Sequence, residues 1–126
     1  MALDEGETHE AQQRKFQKEL NAGIVSLVLL SILASAPEPL YGYQIAKQLE
    51  RDGDSNAIMK QGTLYPVLRA LCAGGFLDSK VEPSVSGPPR RYYHITEAGR
   101  EVLAQWKTAW VSTRDFVDSI LRGSPS

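Results

Sequence analysis

Residues 61–71, QGTLYPVLRAL, decide the fold, because they combine a helical leucine spacing with an interior proline. Three leucines fall on one side of a 3.6-residue period: Leu64, Leu68 and Leu71. Pro66 removes a backbone N–H, a loss that is small in the first helical turn and costs about 3 kcal/mol deeper in a helix. We therefore predict a helix that begins at Gly62 or Thr63 and ends at the glycines 74–75.

Two helices are predicted before this stretch. Residues 11–36 pass without proline from a polar half into an apolar half, which we expect to be buried on all sides, and the Pro-Glu-Pro at 37–39 ends this helix. Residues 40–53 predict a shorter helix, and residues 54–60 a turn. The apolar side of the shorter helix contains Tyr41, Ile45 and Leu49. Gly42 opens it, either because the backbone of another segment approaches closely or as an ordinary helix-start glycine.

The period of the hydrophobic pattern changes after the third helix. Residues 76–82 and 90–95 alternate and are rich in β-forming side chains, and the seven residues between them favour a turn, so we predict a β-hairpin. Thr96 can cap a final helix, which reaches residue 122 and is about 40 Å long. Its bulky side chains recur at steps of three and four: Leu103, Trp106, Trp110, Thr113, Val117 and Ile120. Because a helix of this length extends beyond the core of a domain of this size, we expect it to pack on another chain.

The predicted fold class is mainly α with a small β-hairpin, a winged helix-turn-helix followed by a long C-terminal dimerisation helix. The third helix occupies the position of the recognition helix in such a domain. The predicted division is a flexible tail at 1–12, a DNA-binding domain at 13–95, a dimerisation helix at 96–122 and a flexible tail at 123–126.

Composition limits the classes of function. The 126 residues carry a net charge of −1, but four carboxylates lie in the predicted N-terminal tail and the remainder carries +3, which permits DNA binding without requiring it. The single cysteine, Cys72, excludes an internal disulfide; it is either a small packing residue or a sensor of oxidants. The N-terminus lacks the pattern of a secretory signal, and the apolar run 23–36 is shorter than the roughly 20 residues of a membrane span. We therefore expect a cytoplasmic protein with no membrane partner.

Enzymatic chemistry is not predicted. No nucleophile, base and orienting group recur at catalytic spacing, no phosphate-binding loop is present, and the two histidines lack metal-ligand partners. We therefore expect no catalytic residue, no metal and no cofactor.

Four blocks, in this order and spacing, resemble the PadR family of bacterial transcriptional regulators. They are YGYQIAKQLE (41–50), QGTLYPVLRAL (61–71), GFL (75–77) and RRYYHITEAGREVL (90–103). The likeness covers about residues 20–122, and the single terminal helix is similar to that of the short members. The resemblance implies a homodimeric winged-helix repressor that binds a palindromic operator in double-stranded DNA. It also implies that the terminal helix packs against the partner's first helix and that, in some members, a small aromatic molecule relieves repression.

The candidate DNA-binding residues lie at the start of the second helix, along the third helix and in the wing, which is the hairpin predicted at 76–95. Gln, Thr, Tyr and Arg side chains donate hydrogen bonds to phosphates and base edges, and helix N-termini bind phosphate through free N–H groups. For Pro66 we favour a role in shaping the start of the helix. The alternative is an ordinary solvated surface. The candidates are Tyr43, Gln44, Lys60, Gln61, Gly62, Thr63, Tyr65, Pro66, Arg69, Arg90 and Arg91.

The heptad positions supply candidates for a dimer interface and a ligand site. The interface candidates are Leu20, Ile24, Leu103, Trp106, Trp110, Val117, Ile120 and Leu121. A two-fold axis duplicates each indole, so paired tryptophans can form a slot for a planar aromatic ligand. We assign this slot to Trp110, whose position is similar to that of the tryptophan in ligand-binding family members, with Trp106 and Phe16 beside it. The alternative is that both tryptophans are ordinary core residues.

Two departures from the family pattern keep a second function open. Ala70, Cys72 and Ala73 end the third helix where charged groups are usual, and Pro88 stands where a basic wing residue is common. The alternative function is a winged-helix module for protein contacts, or a ligand-binding dimer with weak or no DNA binding.

Overall fold

The computed structural model describes residues 5–50 and 61–123. Its helices are α1 (Glu5–Ser35), α2 (Gly42–Glu50), α3 (Gln61–Ala73) and α4 (Glu97–Leu121). Its strands are β1 (Leu40–Tyr41), β2 (Leu77–Glu82) and β3 (Arg90–Ile95), which form an antiparallel sheet in the order β1-β3-β2. The predicted fold class, mainly α with a small β-hairpin, is confirmed. The turn predicted at 54–60 lies outside the described residues.

The core is built from leucine-rich stripes on α1 and α3, single residues of α2 and α4, and the inner side of the sheet. The three leucines predicted to anchor α3 are each at most 4% exposed. The side chains with the least exposure are Leu29, Leu30, Ile45, Leu64, Leu68 and Leu77. Burying one such side chain stabilises the fold by about 1.5–3 kcal/mol relative to leaving it in water. The prediction that the three leucines of α3 bury one side of the helix is therefore confirmed.

Helix α1 differs from its prediction in where it begins and in how much of its apolar half is buried. It begins at Glu5, so residues 5–12 are helical where we expected a tail, and no proline interrupts the segment. Its apolar half is not buried on all sides. Val25, Leu29 and Leu33 face the core, whereas Ile24 and Leu27 are half-exposed and line an open groove beside α4.

The length and composition of α1 are sufficient for a membrane span, although we expected the apolar run to be too short. Core helices of soluble proteins meet the same criterion. Here the buried side of α1 forms part of the hydrophobic core with residues of α2, α3, the sheet and α4. The core therefore accounts for the apolar residues on the buried side of α1, and not for those on its other side.

Strand β1 is a third strand that the sequence does not predict. Leu40 pairs with Tyr93 and Tyr41 with Tyr92, which makes β3 the central strand. Two residues are too short for an alternating pattern to be visible, so only the tertiary pairing creates this strand. The predicted hairpin between β2 and β3 is present and runs from the Leu77–Ile95 pair to the Glu82–Arg90 pair.

Thr96 joins the sheet to α4. Its hydroxyl accepts a hydrogen bond from the Gly99 N–H (3.0 Å), which is the predicted N-cap, and donates one to the Gly75 carbonyl (2.7 Å). Its backbone N–H donates to the Phe76 carbonyl (3.1 Å). Gly75 has a φ of +85°, which a residue with a side chain rarely adopts. One threonine thus fixes the start of α4 against the end of α3.

We predict that Thr96→Ala lowers the free energy of unfolding by about 1–2 kcal/mol, because the cap of α4 and the bond to Gly75 are both lost. Urea unfolding at a fixed chain concentration measures the change. Thr108→Ala is the matched control, since this exposed hydroxyl in the middle of α4 bonds only to the Ala104 carbonyl at 3.3 Å. Equal effects of the two substitutions would contradict the assigned role of Thr96.

Candidate nucleic-acid interface

The outer side of α3 presents polar and cationic side chains opposite the buried leucines. Thr63, Tyr65, Pro66 and Arg69 are exposed, as the helical spacing predicts. Among the other candidates on this segment, Lys60 lies outside the described residues, and only the helical backbone is described for Gln61 and Gly62. The four candidate residues of α3 whose side chains the structure describes therefore all point away from the core.

The start of α3 corrects the predicted boundary. The helix begins at Gln61, before the predicted start at Gly62 or Thr63, and Pro66 consequently lies in its second turn. Pro66 has no N–H to donate to the carbonyl four residues earlier.

Tyr65 packs across the first residue of α2. Gly42 is buried, and a Cβ atom at this position would lie 2.7 Å from the Cε1 and Cζ atoms of the Tyr65 ring, closer than any side chain tolerates. The close neighbour of Gly42 is therefore a tyrosine side chain, whereas the sequence led us to expect either an approaching backbone segment or an ordinary helix-start glycine. The contact holds the first turns of α2 and α3 side by side.

The start of α2 is capped by one of the predicted DNA-binding residues. The Tyr41 N–H donates to the Gln44 Oε1 at 3.0 Å, so the Gln44 oxygen is engaged and its amide NH₂ remains a donor on the exposed side. Tyr43 is 56% exposed, and the Lys47 Nζ lies 5.7 Å from the centroid of its ring. Tyr41 itself was predicted to join the core stripe of α2, but it is half-buried at the edge of the sheet.

The two wing arginines point to opposite sides of β3, as strand alternation requires. The Arg90 Cζ lies 4.5 Å from the centroid of the Tyr41 ring. The Arg91 Nη1 donates to the Ser79 Oγ at 2.9 Å on the side of the sheet that carries the buried Tyr93. Both arginines remain exposed, so each keeps donors available to a partner.

Cys72 is half-buried near the end of α3. Burial raises the pKa of its thiol above the ordinary value, and the opposing effects of a hydrogen bond with Ser79 and of the Arg91 charge are smaller. Since the thiolate is the reactive form, a raised pKa favours the packing role over oxidant sensing. Ala70 and Ala73 beside it are exposed, so the end of α3 presents little charge to solvent.

A groove of about 570 Å³ lies between α1 and α4. It brings together four of the predicted interface residues, Leu20, Ile24, Trp106 and Trp110, with small residues that include Gly23 and Ala109. Trp110 is 40% exposed, whereas Trp106 is half-buried and contacts the Phe76 ring edge-to-face with centroids 5.8 Å apart.

The remaining interface candidates divide into two groups. Leu103 is 5% exposed and packs into the core of its own chain, because the first turns of α4 lie against the winged domain. Val117, Ile120 and Leu121 are exposed along the far half of α4, at 42%, 62% and 78%. Phe16, predicted beside the ligand slot, is exposed on α1 and does not line the groove.

This arrangement, with α2 and α3 held together, a hairpin beside them and a long final helix, is shared with known regulators. The sequence model of the transcriptional regulator PadR-like family matches residues 29–105. The chain belongs to the PadR-like family. As a PadR-like transcriptional regulator it is not an enzyme, and both the resemblance and the absence of an enzymatic activity predicted from the sequence are confirmed.

Individual relatives support the same assignment. Transcriptional regulator Rv3488 of Mycobacterium tuberculosis is 35% identical over 97 residues, which are 76% of this chain and 80% of that protein. The crystal structure of a PadR family transcriptional regulator from Eggerthella lenta is 31% identical, with a TM-score of 0.77 over 93% of this chain and 98% of that one. A PadR-like regulator from Bacillus cereus is 27% identical, with a TM-score of 0.68 over 84% and 99% of the two chains.

We predict that Gly42→Ala destabilises the PadR-like fold by about 1–2 kcal/mol, because the new methyl group overlaps the Tyr65 ring. Urea unfolding of the single variants and of the Gly42→Ala/Tyr65→Ala double variant tests the cause. In the Tyr65→Ala background the overlap is gone, so the penalty of the alanine at position 42 should nearly vanish. An equal penalty in both backgrounds would mean that Tyr65 is not what requires the glycine.

Proposed function

We propose that this PadR-like regulator is a cytoplasmic, sequence-specific DNA-binding repressor that acts as a homodimer on a palindromic operator. The observation that carries the proposal is one continuous outward surface across three elements. Tyr65 of α3 contacts the start of α2, Tyr43 of α2 stacks on Tyr41 with centroids 6.3 Å apart, and Arg90 of the wing lies over Tyr41. Hydrogen-bond donors and cations therefore form one surface opposite the buried leucines.

The surface divides naturally between base recognition and phosphate contact. Arg69 and Thr63 on the outer side of α3 have the donors that recognise base edges, and an arginine can bond a guanine through two N–H groups. Tyr43, Gln44 and the wing arginines, with the backbone N–H groups at the starts of α2 and α3, suit the phosphate backbone. Residues Lys60, Gln61 and Gly62 complete the proposed contacts at the start of the recognition helix.

The exposed apolar side chains of α1 and α4 support a homodimer. Phe116, Val117, Ile120 and Leu121 are all exposed along the final turns of α4, and Leu20 is exposed on α1. Contiguous apolar surface of this kind marks protein interfaces, and packing α4 against α1 of a second copy would cover it. Such a dimer would present its two α3 helices to successive major grooves, about 34 Å apart.

The groove between α1 and α4 supports relief of repression by a small, planar aromatic ligand. Its volume of about 570 Å³ falls within the range of small-molecule sites, and its lining is mostly apolar with the indole of Trp110 partly exposed. An aromatic ligand can stack on such an indole. Because the groove lies on the proposed dimer interface, occupancy can change the spacing of the two recognition helices.

One observation favours a second function, a winged-helix module for protein contacts or a ligand-binding dimer with weak or no DNA binding. The end of α3 exposes Ala70 and Ala73 where a strong DNA binder would place charged side chains. The salt dependence of DNA binding separates the two functions, because phosphate contacts release counterions and protein contacts do not.

We predict that binding to double-stranded DNA weakens about a thousandfold between about 50 and 200 mM salt, as expected for six or more phosphate contacts per dimer. Fluorescence anisotropy with the DNA upstream of the protein's own gene measures it. Absence of salt-sensitive binding would refute the repressor and favour the second function.

The variant Arg69→Ala should weaken operator binding by roughly 1–3 kcal/mol, the value of a base contact, while the melting temperature stays unchanged. Arg100→Ala is the matched control. Arg100 is also an exposed arginine, but it lies in the first turn of α4, outside the proposed contacts with DNA. Unchanged binding by the Arg69 variant would remove this residue from the interface.

We predict that planar aromatic compounds quench tryptophan fluorescence by stacking at Trp110. Titration of the native protein and of Trp110→Ala measures the effect, and the remaining signal of the variant reports Trp106. The quenching should disappear or weaken strongly in the variant. An equal response of both proteins would mean that the ligand does not stack on Trp110.

A further inference from the structure

A cation and three aromatic rings link the wing to the start of α2. The Tyr41 ring contacts the Tyr92 ring edge-to-face with centroids 5.3 Å apart and stacks on the Tyr43 ring at 6.3 Å. The Arg90 Cζ lies over the same Tyr41 ring at 4.5 Å, within the range of a cation–π interaction. Tyr41 is not among the candidate DNA-binding residues, yet its ring contacts two that are, Arg90 of the wing and Tyr43 of α2.

The position of the Tyr41 ring is fixed by the backbone on both sides of it. Tyr41 pairs with Tyr92 in the sheet, and its N–H is held by Gln44 at the first turn of α2. The ring is half-buried, so it has little freedom to follow a mobile side chain. The Arg90 side chain, by contrast, is long and exposed, and fixing it otherwise costs conformational entropy.

The carboxylate opposite Arg90 in the hairpin forms its ion pair with another residue. Arg90 pairs with Glu82 across the hairpin, but the Glu82 Oε2 forms its ion pair with the Lys80 Nζ, at 3.7 Å. A carboxylate partner would neutralise the guanidinium, whereas an aromatic ring holds it without cancelling its charge. A guanidinium that packs on a ring also keeps the N–H donors at the edges of its plane. Arg90 is thus held in place while remaining able to bind an anion.

We infer that Tyr41 is a positioning residue for DNA binding, which holds the Arg90 guanidinium at the end of β3 next to the wing tip, on the same ring that Tyr43 stacks on, so that Arg90 and Tyr43 reach the same stretch of phosphate backbone. This inference rests on the proposed DNA-binding function and adds a residue to it. Tyr41 does not contact DNA in this arrangement. It reduces the entropy that Arg90 loses when the complex forms.

Non-specific DNA is the appropriate probe, because a phosphate contact does not depend on sequence. Binding of the full chain to a mixed-sequence duplex of about 30 base pairs is measured by anisotropy over a salt series. Tyr41→Leu keeps the bulk and removes the ring face, so we expect affinity to fall roughly two- to fivefold per protomer, the strength of an exposed cation–π contact. Tyr41→Phe keeps the face and should bind like the native protein.

The salt slope separates positioning from contact. Arg90→Ala removes a phosphate contact and should lower the slope by about 0.9 per protomer, whereas Tyr41→Leu should lower affinity with the slope unchanged. In the Arg90→Ala background Tyr41→Leu should have no further effect, since there is no guanidinium left to hold. A ring-current shift of the Arg90 side-chain protons, present in the free native protein and lost in Tyr41→Leu, is the expected spectroscopic signature.

Three results would overturn the inference. An equal loss of affinity from Tyr41→Leu with Arg90 or with alanine at position 90 would assign Tyr41 a purely structural role. A loss in Tyr41→Phe as large as in Tyr41→Leu would assign the effect to the hydroxyl group. Native binding that does not change with Arg90→Ala would remove Arg90 from the interface. Failure of the native protein to bind the duplex at any salt concentration would instead refute the proposed function itself.

Discussion

The pairing of the two-residue strand β1 with β3 is the constraint on which the outward surface depends. Because α2 begins at the residue after β1, the sheet sets where the first turn of α2 lies. The Tyr65 ring over Gly42 then sets α3 against α2. The recognition helix and the wing are therefore positioned from the same central strand, although they are separate in sequence.

Much of the fold can be predicted from the sequence because its elements are long and strongly patterned. The leucines of α3, the alternation of the hairpin and the threonine cap of α4 all occupy the predicted places. Strand β1 could not be predicted, since two residues carry no period and their pairing depends on a strand 50 residues away. The early start of α1 was missed because a polar segment with few apolar residues predicts a tail as readily as a helix.

The sequence predicts which way the side chains of the candidate site point, but not which residues they contact. Strand alternation predicts that Arg90 and Arg91 point to opposite sides, and the structure has them there. It does not predict that Tyr41 lies under Arg90 or that Tyr65 needs a glycine at position 42, because both contacts join segments that are distant in sequence. Leu103 fits the seam of α4 equally well as a partner-facing or a core residue, and only the packing of the first turns of α4 against α1 decides. The positions of aromatic rings between elements are thus the part that needs the three-dimensional structure.

The junction at Thr96 has a mechanical consequence. Helix α4 contains 25 residues and is therefore about 37 Å long, with its base clamped by three hydrogen bonds to the end of α3 and to its own first turn. The first turns of α4 also pack on the domain through Leu103 and Trp106, and α4 lies beside α1 as far as Thr113, so the projecting part runs from there to Leu121, about 12 Å along the axis. A tilt of about 15° at Thr113 would move the tip by roughly 3 Å, close to the 3.4 Å rise of one base pair. A small shift in packing just beyond Thr113 would therefore become a larger displacement at the end of the helix.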